Sequence, residues 1–174
     1  IAVQGVGHVG EYLVSHLAKE NANVFITDIN QEALQKLSAQ HGVKVVAPEL
    51  IYGIDMDIYA PCALGATVND ETLAQLKCAV IAGAANNQLK EEAKHGQILM
   101  DRGIIYAPDF ALNAGGVINC FSEVEGLSLE WAKQKAEEIY TTIDNILVRS
   151  QQEGLPSYQV ANRIAEERVQ SKGS

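Results

Sequence analysis

Short apolar runs alternate along the chain with longer stretches in which apolar residues recur every third or fourth position. The runs predict six strands, at about 1–5, 23–28, 43–46, 57–60, 78–82 and 104–107. The longer stretches predict helices at about 8–20, 31–41, 70–76, 88–95, 112–124, 129–152 and 156–171. Strands that alternate with helices indicate an α/β fold with a doubly wound, mainly parallel sheet and additional C-terminal helices.

The pattern changes near Gly126, beyond which no strand is predicted and charged helices follow. Residues 1–126 are therefore predicted to form the α/β domain, and residues 127–174 to add helices that pack on the same domain. The long predicted helix carries an apolar face that comprises Ala132, Ala136, Ile139, Tyr140, Ile143, Ile146 and Leu147. This face could complete the core or dock against another domain. Because Ile1 already belongs to the predicted central strand, we expect an N-terminal part of the protein to be absent from this chain.

A glycine-rich turn follows the first predicted strand directly. Gly5, Gly7 and Gly10 have the spacing Gly-x-Gly-x-x-Gly, and the next helix is predicted to start near His8. Glycines at this spacing allow a tight turn, a close approach of the backbone to a pyrophosphate, and packing of the helix on the sheet. The free N–H groups and the dipole of the helix would bind the phosphates without a lysine. The turn therefore predicts a dinucleotide site, with a purely structural glycine turn as the alternative.

An acidic residue closes the second predicted strand. Asp28 follows the apolar run 24–27 and lies about twenty residues beyond the glycine turn, where a carboxylate accepts hydrogen bonds from the adenosine ribose hydroxyls. This carboxylate favours NAD over NADP, since residues 29–31 include no arginine that could neutralise a 2′-phosphate. The alternative is that Asp28 or Asn30 simply caps the helix that is predicted to start at Gln31.

Composition and charge argue against several classes of function. The 174 residues carry a formal net charge of −9 and no basic stripe, so we expect neither nucleic acid nor a membrane as a partner. No apolar run is long enough to cross a membrane, and we expect a cytoplasmic protein with reduced thiols. Cys62, Cys78 and Cys120 show no metal-ligand spacing. No metal site is expected, and each of the four histidines, His95 among them, is predicted to lie on a helix surface or in a turn.

Three polar or glycine-rich segments follow predicted strands, at 59–65, 83–89 and 107–116. In a doubly wound sheet, ligands bind outside the carboxyl ends of the strands. Small side chains and amides at these ends could line a flat ring such as a nicotinamide. The alternative is that their prolines form loops, their asparagines cap helices, and the pair Gly115 and Gly116 allows close helix packing.

With these segments the sequence resembles the Glu/Leu/Phe/Val dehydrogenase family, and within it the NAD-binding domain of the leucine-specific members. Segments 5–10, 59–65, 82–89 and 106–116 carry the resemblance, above all the motifs Ala-Pro-Cys-Ala-Leu-Gly and Pro-Asp-Phe-Ala-Leu-Asn-Ala-Gly-Gly. The resemblance implies a Rossmann-type fold and reversible, NAD-dependent oxidative deamination of L-leucine or another branched-chain amino acid to a 2-oxo acid and ammonia. Valine, phenylalanine or glutamate dehydrogenase is the alternative within the family. A regulatory NAD-sensing module is the alternative of another class.

The resemblance also implies a role for individual residues in cofactor binding. They are Gly5, Gly7, His8, Val9 and Gly10 at the pyrophosphate, Asp28 and its neighbour Ile29 at the adenosine ribose, Ala60, Pro61 and Cys62 along the cleft, and Ala84, Ala85, Asn86, Asn87 and Asn113 at the nicotinamide riboside. No catalytic residue is expected in this chain, because the two lysines of the family belong to a preceding substrate domain. The chain alone is therefore expected to bind NAD without turning over an amino acid, and the full enzyme is expected to be a homo-oligomer.

Overall fold

The computed structural model describes residues 1–172 and contains a six-stranded sheet in which every neighbouring pair is parallel. The strands are β1 (Ala2–Gln4), β2 (Phe25–Thr27), β3 (Lys44–Val45), β4 (Ile58–Pro61), β5 (Val80–Ile81) and β6 (Ile105–Tyr106). The helices are α1 (His8–Lys19), α2 (Gln31–His41), α3 (Asp70–Leu73), α4 (Glu92–Asp101), α5 (Asp109–Leu112), α6 (Gly115–Val124), α7 (Leu129–Glu153) and α8 (Ser157–Lys172). The spatial order β3-β2-β1-β4-β5-β6 confirms the predicted Rossmann-type α/β fold.

The sheet separates two apolar clusters because successive residues of a strand point to opposite faces. Val3 of β1 packs with α1 and α2 through residues such as Val14 and Leu34. Its neighbour Ala2 belongs to the cluster on the other face, which includes Tyr59 and Leu99. Helices therefore cover both faces, and the carboxyl ends of β1 and β4 remain at one edge of this sandwich.

The helix predicted at 88–95 starts and ends later in the structure, where α4 spans Glu92–Asp101. Leu89 forms a parallel bridge with Val68, so this residue is engaged in a strand-like contact rather than in the helix. The N–H of Glu91 donates to Nδ1 of His95 at 2.9 Å, and the helix begins at the next residue. His95 is fully buried, so the prediction that it lies on a helix surface or in a turn is wrong.

The helix predicted at 112–124 corresponds to α6, which starts later, at Gly115; the short helix α5 precedes it, and Asn113 and Ala114 lie between the two. Asn113 ends α5, and its side chain donates a hydrogen bond to Asn86. The helix predicted at 70–76 ends early, at Leu73. The Arg102 guanidinium donates to the backbone oxygens of Leu73 and Leu76 and so satisfies carbonyls at the end of this turn.

The C-terminal helices pack on the α/β domain along part of their length. Ala132 and Ile146 of α7 are buried, and the Oγ of Ser157 at the start of α8 donates to the backbone oxygen of Tyr106 at 2.7 Å. By contrast, Tyr140 is 81% exposed, so the predicted apolar face is only partly covered. Within residues 1–172, no helix has the length and apolarity that a membrane-crossing segment needs. The predicted limit at residue 126 stays a prediction, and Gly173 and Ser174 lie outside the described residues.

Candidate dinucleotide-binding site

The glycine turn connects β1 to α1 at the point where the strand order reverses, beside β4. Gly5 has φ +100°, and a Cβ added to it would lie 2.6 Å from Cβ of Ala63. A Cβ added to Gly10 would lie only 2.0 Å from the backbone oxygen of Gly5. The turn can therefore close in this form only if both positions are glycine.

The outer side of the turn is open. Gly7 is exposed, and a Cβ added to it would meet no atom within 4 Å. Among residues 1–172, no side chain accepts a hydrogen bond at the start of α1, whereas Asn30 and Asn69 cap α2 and α3. The start of α1 therefore has no side-chain cap, and a helix start of this kind can bind a pyrophosphate through its N–H groups and its dipole.

Asp28 follows β2 and fastens the glycine turn from one side. Its Oδ2 accepts the N–H of Val6 at 2.6 Å, and its Oδ1 accepts the N–H of Asn30 at 2.9 Å. The cap of α2 is Asn30, whose Oδ1 accepts the N–H of Ala33 at 3.1 Å. A carboxylate has about four acceptor sites, so two backbone bonds leave Asp28 able to accept ribose hydroxyls. Its neighbour Ile29 is 92% exposed.

The segments 59–65 and 83–89, at the ends of β4 and β5, lie against each other and form one surface, the wall. The N–H of Ala85 donates to the backbone oxygen of Pro61 at 2.9 Å, and the N–H of Ala66 donates to that of Asn87 at 2.7 Å. A Cβ added to Gly83 would lie 2.2 Å from the oxygen of Pro61, so the two segments are in close backbone contact there.

The third segment joins this wall through Asn113. Its Nδ2 donates to Oδ1 of Asn86 at 2.6 Å and lies 3.5 Å from the backbone oxygen of Ala84. The structure therefore brings together the three segments that sequence reasoning assigned to the nicotinamide end. Their contact with a cofactor stays a prediction, as do the individual roles of the other residues named for the site.

Cys62 directly follows β4, whose last residues, Ala60 and Pro61, are both buried. Burial raises the pKa of its thiol, although a backbone hydrogen bond with Ala84 acts in the opposite direction. A thiol with a raised pKa is a poor nucleophile, which favours a packing role.

Sequence reasoning missed two buried polar residues behind the wall, Gln88 and Asp109. The N–H of Gln88 donates to Oδ2 of Asp109 at 2.9 Å. Both residues lie within the polar segments, but their burial depends on how β5 and β6 pair in the sheet. Their sequence neighbours gave no signal of burial, since Gln88 stands between Asn87 and Leu89, and Asp109 between Pro108 and Phe110.

One group of side chains has the composition of a metal site, namely Asp70, Glu91 and His95. Two observations argue against a bound ion there. Lys94 already places its Nζ 2.6 Å from Oδ2 of Asp70, which supplies the compensating positive charge. Nδ1 of His95 accepts the N–H of Glu91, so the ring proton sits on Nε2, the nitrogen that faces Asp70 at 3.4 Å. A protonated nitrogen has no lone pair for a metal.

The sheet order and the glycine turn at its switch point define a Rossmann-type α/β domain. The family model for glutamate, leucine, phenylalanine and valine dehydrogenases matches residues 25–173. The chain belongs to this family of amino acid dehydrogenases, which implies a nicotinamide cofactor.

Similar proteins support this assignment. A leucine dehydrogenase of Bacillus cereus is 53% identical over 171 residues, which are 98% of this chain and 46% of that enzyme. One from Bacillus subtilis is 53% identical over 170 residues, with the same coverage. The crystal structure of L-tryptophan dehydrogenase from Nostoc punctiforme matches 98% of this chain and 52% of its own with a TM-score of 0.95 and 40% identity. The chain thus spans about half the length of the curated relatives it matches.

Proposed function

We propose that this chain is the NAD-binding part of an amino acid dehydrogenase that catalyses reversible oxidative deamination. The glycine turn and the start of α1, together called the cradle, support this proposal most directly. The start of α1 has no side-chain cap, and the surface at Gly7 is open. The cofactor, when bound, supplies the group that accepts the hydride from the amino acid. The chain itself would bind the pyrophosphate, orient the nicotinamide riboside against residues 84–87, and exclude water on that side.

The choice of NAD over NADP rests on Asp28. Its carboxylate is held beside the glycine turn by the N–H of Val6 at 2.6 Å, and it would repel a 2′-phosphate. Next to it, Ile29 and Asn30 contribute no positive charge.

The substrate is proposed to be L-leucine or another branched-chain amino acid. The 53% identity to leucine dehydrogenases favours leucine over an aromatic substrate, because the identity to L-tryptophan dehydrogenase is lower, at 40%. The residues that bind the amino acid and move its proton are proposed to lie in another domain of the full enzyme. Lys36 and Lys94 form surface salt bridges with Glu11 and Asp70, which fits a role other than catalysis.

A homo-oligomeric full enzyme and a cytoplasmic location stay predictions. A regulatory NAD-sensing module is the second candidate function. The polar wall argues against it, because a sensor needs no surface that presents Asn86 and Asn113 at the nicotinamide end. Membership of the dehydrogenase family argues the same way.

Calorimetric titration of the purified chain with NAD, NADP and ADP tests the proposal. We expect saturable binding of NAD, much weaker binding of NADP, and no NAD reduction when leucine is added to the chain alone. Absence of binding of all three nucleotides would contradict the dinucleotide site. Equal affinity for NAD and NADP would contradict the proposed role of Asp28, and NAD-dependent oxidation of leucine by the chain would contradict the location of the catalytic residues elsewhere.

A further inference from the structure

Gln88 holds two carbonyl groups of the wall in place. Its side chain is fully buried, and Nε2 donates to the backbone oxygens of Gly83 at 2.6 Å and Ala85 at 2.9 Å. One amide group therefore spans the three residues 83–85, which lead into the wall. The carbonyl of Ala84 lies between the two that are held and is 3.5 Å from Nδ2 of Asn113.

The backbone of Gln88 is itself fixed on two sides. Its N–H donates to the Asp109 carboxylate at 2.9 Å, and its backbone oxygen accepts the N–H of Val68 at 3.0 Å. Asp109 is buried, and its other oxygen accepts the N–H of Phe110 at 2.7 Å. Because these two bonds restrict the backbone of Gln88, the amide at the end of its side chain can hold residues 83–85 in one position.

The oxygen of the same amide, Oε1, holds no part of the wall. Within residues 1–172, Oε1 of Gln88 has no hydrogen-bond partner although it is buried. A buried acceptor without a partner is unfavourable, and methionine would fill a similar volume without that penalty. The two bonds from Nε2 are therefore the reason that an amide is useful here.

We propose that Gln88 is a positioning residue that fixes residues 83–85 so that the wall receives the nicotinamide riboside. This proposal rests on the proposed function of the chain as an NAD-binding domain. Gln88 touches the backbone of the wall and acts on the cofactor only through it. The pyrophosphate and adenosine sites, which are built on Gly7 and Asp28, lie on other loops and do not depend on it.

The test compares NAD with ADP, which lacks the nicotinamide riboside, by calorimetry on the full 174-residue chain. Gln88→Met removes both donors and keeps the length of the side chain. We expect its affinity for NAD to fall about tenfold, as loss of two hydrogen bonds predicts, and its affinity for ADP to change less than about twofold. Gln97→Met is the matched control, since Gln97 is exposed on α4, and both affinities should stay as in the wild type.

Gln88→Glu supplies a second readout. Above the pKa of the introduced carboxyl, a carboxylate would face two carbonyl oxygens and NAD affinity should fall at least as far as in Gln88→Met. As the pH is lowered, that carboxyl gains a proton and recovers one donor, so NAD affinity should rise toward the wild-type value in this variant alone. This variant also keeps the proposal testable if Gln88→Met does not fold.

Three results would overturn this proposal alone and leave the proposed function intact. NAD affinity that is unchanged in Gln88→Met would show that the clamp is unnecessary. Equal losses of NAD and ADP affinity would show a general structural role. A Gln88→Glu variant whose NAD affinity relative to wild type does not depend on pH would show that the donor is irrelevant. Failure of the wild type to bind either nucleotide would overturn the proposed function together with this inference, and no variant is needed to recognise that case.

Discussion

Replacing Asp28 by alanine removes two backbone hydrogen bonds that hold the glycine turn and the start of α2. The Oδ2 of Asp28 accepts the N–H of Val6, and Oδ1 accepts the N–H of Asn30. The substitution should therefore weaken NAD binding in two ways, through loss of the proposed ribose contact and through loosening of the cradle. A change in stability and a change in specificity separate these two effects.

The magnitude follows from the burial of the two donors. Val6 is only 3% exposed, so its N–H would lose its acceptor with little access to water, which costs about 1–3 kcal/mol. Asn30 is exposed, and water can replace the second bond. We expect the free energy of unfolding to fall by about 2 kcal/mol, which is roughly a 30-fold change in the folding equilibrium and a decrease in Tm of roughly 4–8 °C. Asp28→Asn keeps one acceptor oxygen and should lose about 1 kcal/mol.

Urea denaturation gives the stability, and calorimetry with NAD and NADP gives the specificity. Asp28→Ala should bind NAD more weakly and show a smaller preference over NADP, because the carboxylate that repels a 2′-phosphate is gone. Glu32→Ala is the matched control, since it removes an exposed carboxylate from the first turn of α2 and should leave the NAD preference intact. Unchanged stability of Asp28→Ala would refute the energetic argument, and an unchanged NAD to NADP ratio would refute the ribose assignment.

Three further changes test the packing and chemistry around the site. Burial raises the pKa of the Cys62 thiol, so a thiol reagent at neutral pH should label the exposed Cys120 first, as mass spectrometry of the labelled chain would show; faster labelling of Cys62 would contradict this order. Asn30→Ala removes the side-chain cap of α2 and should lower the free energy of unfolding in urea by about 1 kcal/mol, whereas an unchanged midpoint would show the cap to be dispensable. Gly96→Ala would place a Cβ 2.5 Å from the ring of Tyr158 and should lower the free energy of unfolding, measured by thermal denaturation, by about 1–3 kcal/mol. The same loss of stability in a Tyr158→Leu background would contradict this contact.

The six strands could be predicted from the sequence because each is an apolar run between polar segments, and each apolar run maps to a strand of the sheet. The helices were less predictable where tertiary contacts set their ends. The start of α4 depends on His95, which turns inward and accepts the N–H of Glu91. The early end of α3 depends on Arg102, a residue that follows it by about thirty positions and reaches back to its carbonyls.

The candidate site shows the same division. The conformation of the glycine turn was predictable because it is set locally, and Gly5 has the positive φ that the motif encodes. Asp28 was predictable by its place at the end of a strand. Gln88 and Asp109 were not, since a polar residue in a loop is exposed in most proteins and only the assembled sheet buries these two.

Because the candidate site is built mainly of backbone atoms, its geometry depends on the side chains that hold this backbone in place. Gly7, Ala84 and Ala85 offer a ligand little beyond N–H groups and carbonyls, so their own side chains cannot correct the position of the loop that carries them. Asp28 holds the glycine turn through one hydrogen bond, from the N–H of Val6, and Gln88 holds residues 83–85 through two hydrogen bonds to backbone oxygens. Substitutions at these two residues should therefore disturb cofactor geometry more than substitutions of contact residues that keep the backbone path. Proteins that share the glycine turn but differ at these two positions are consequently expected to hold the two ends of a dinucleotide with different relative strength.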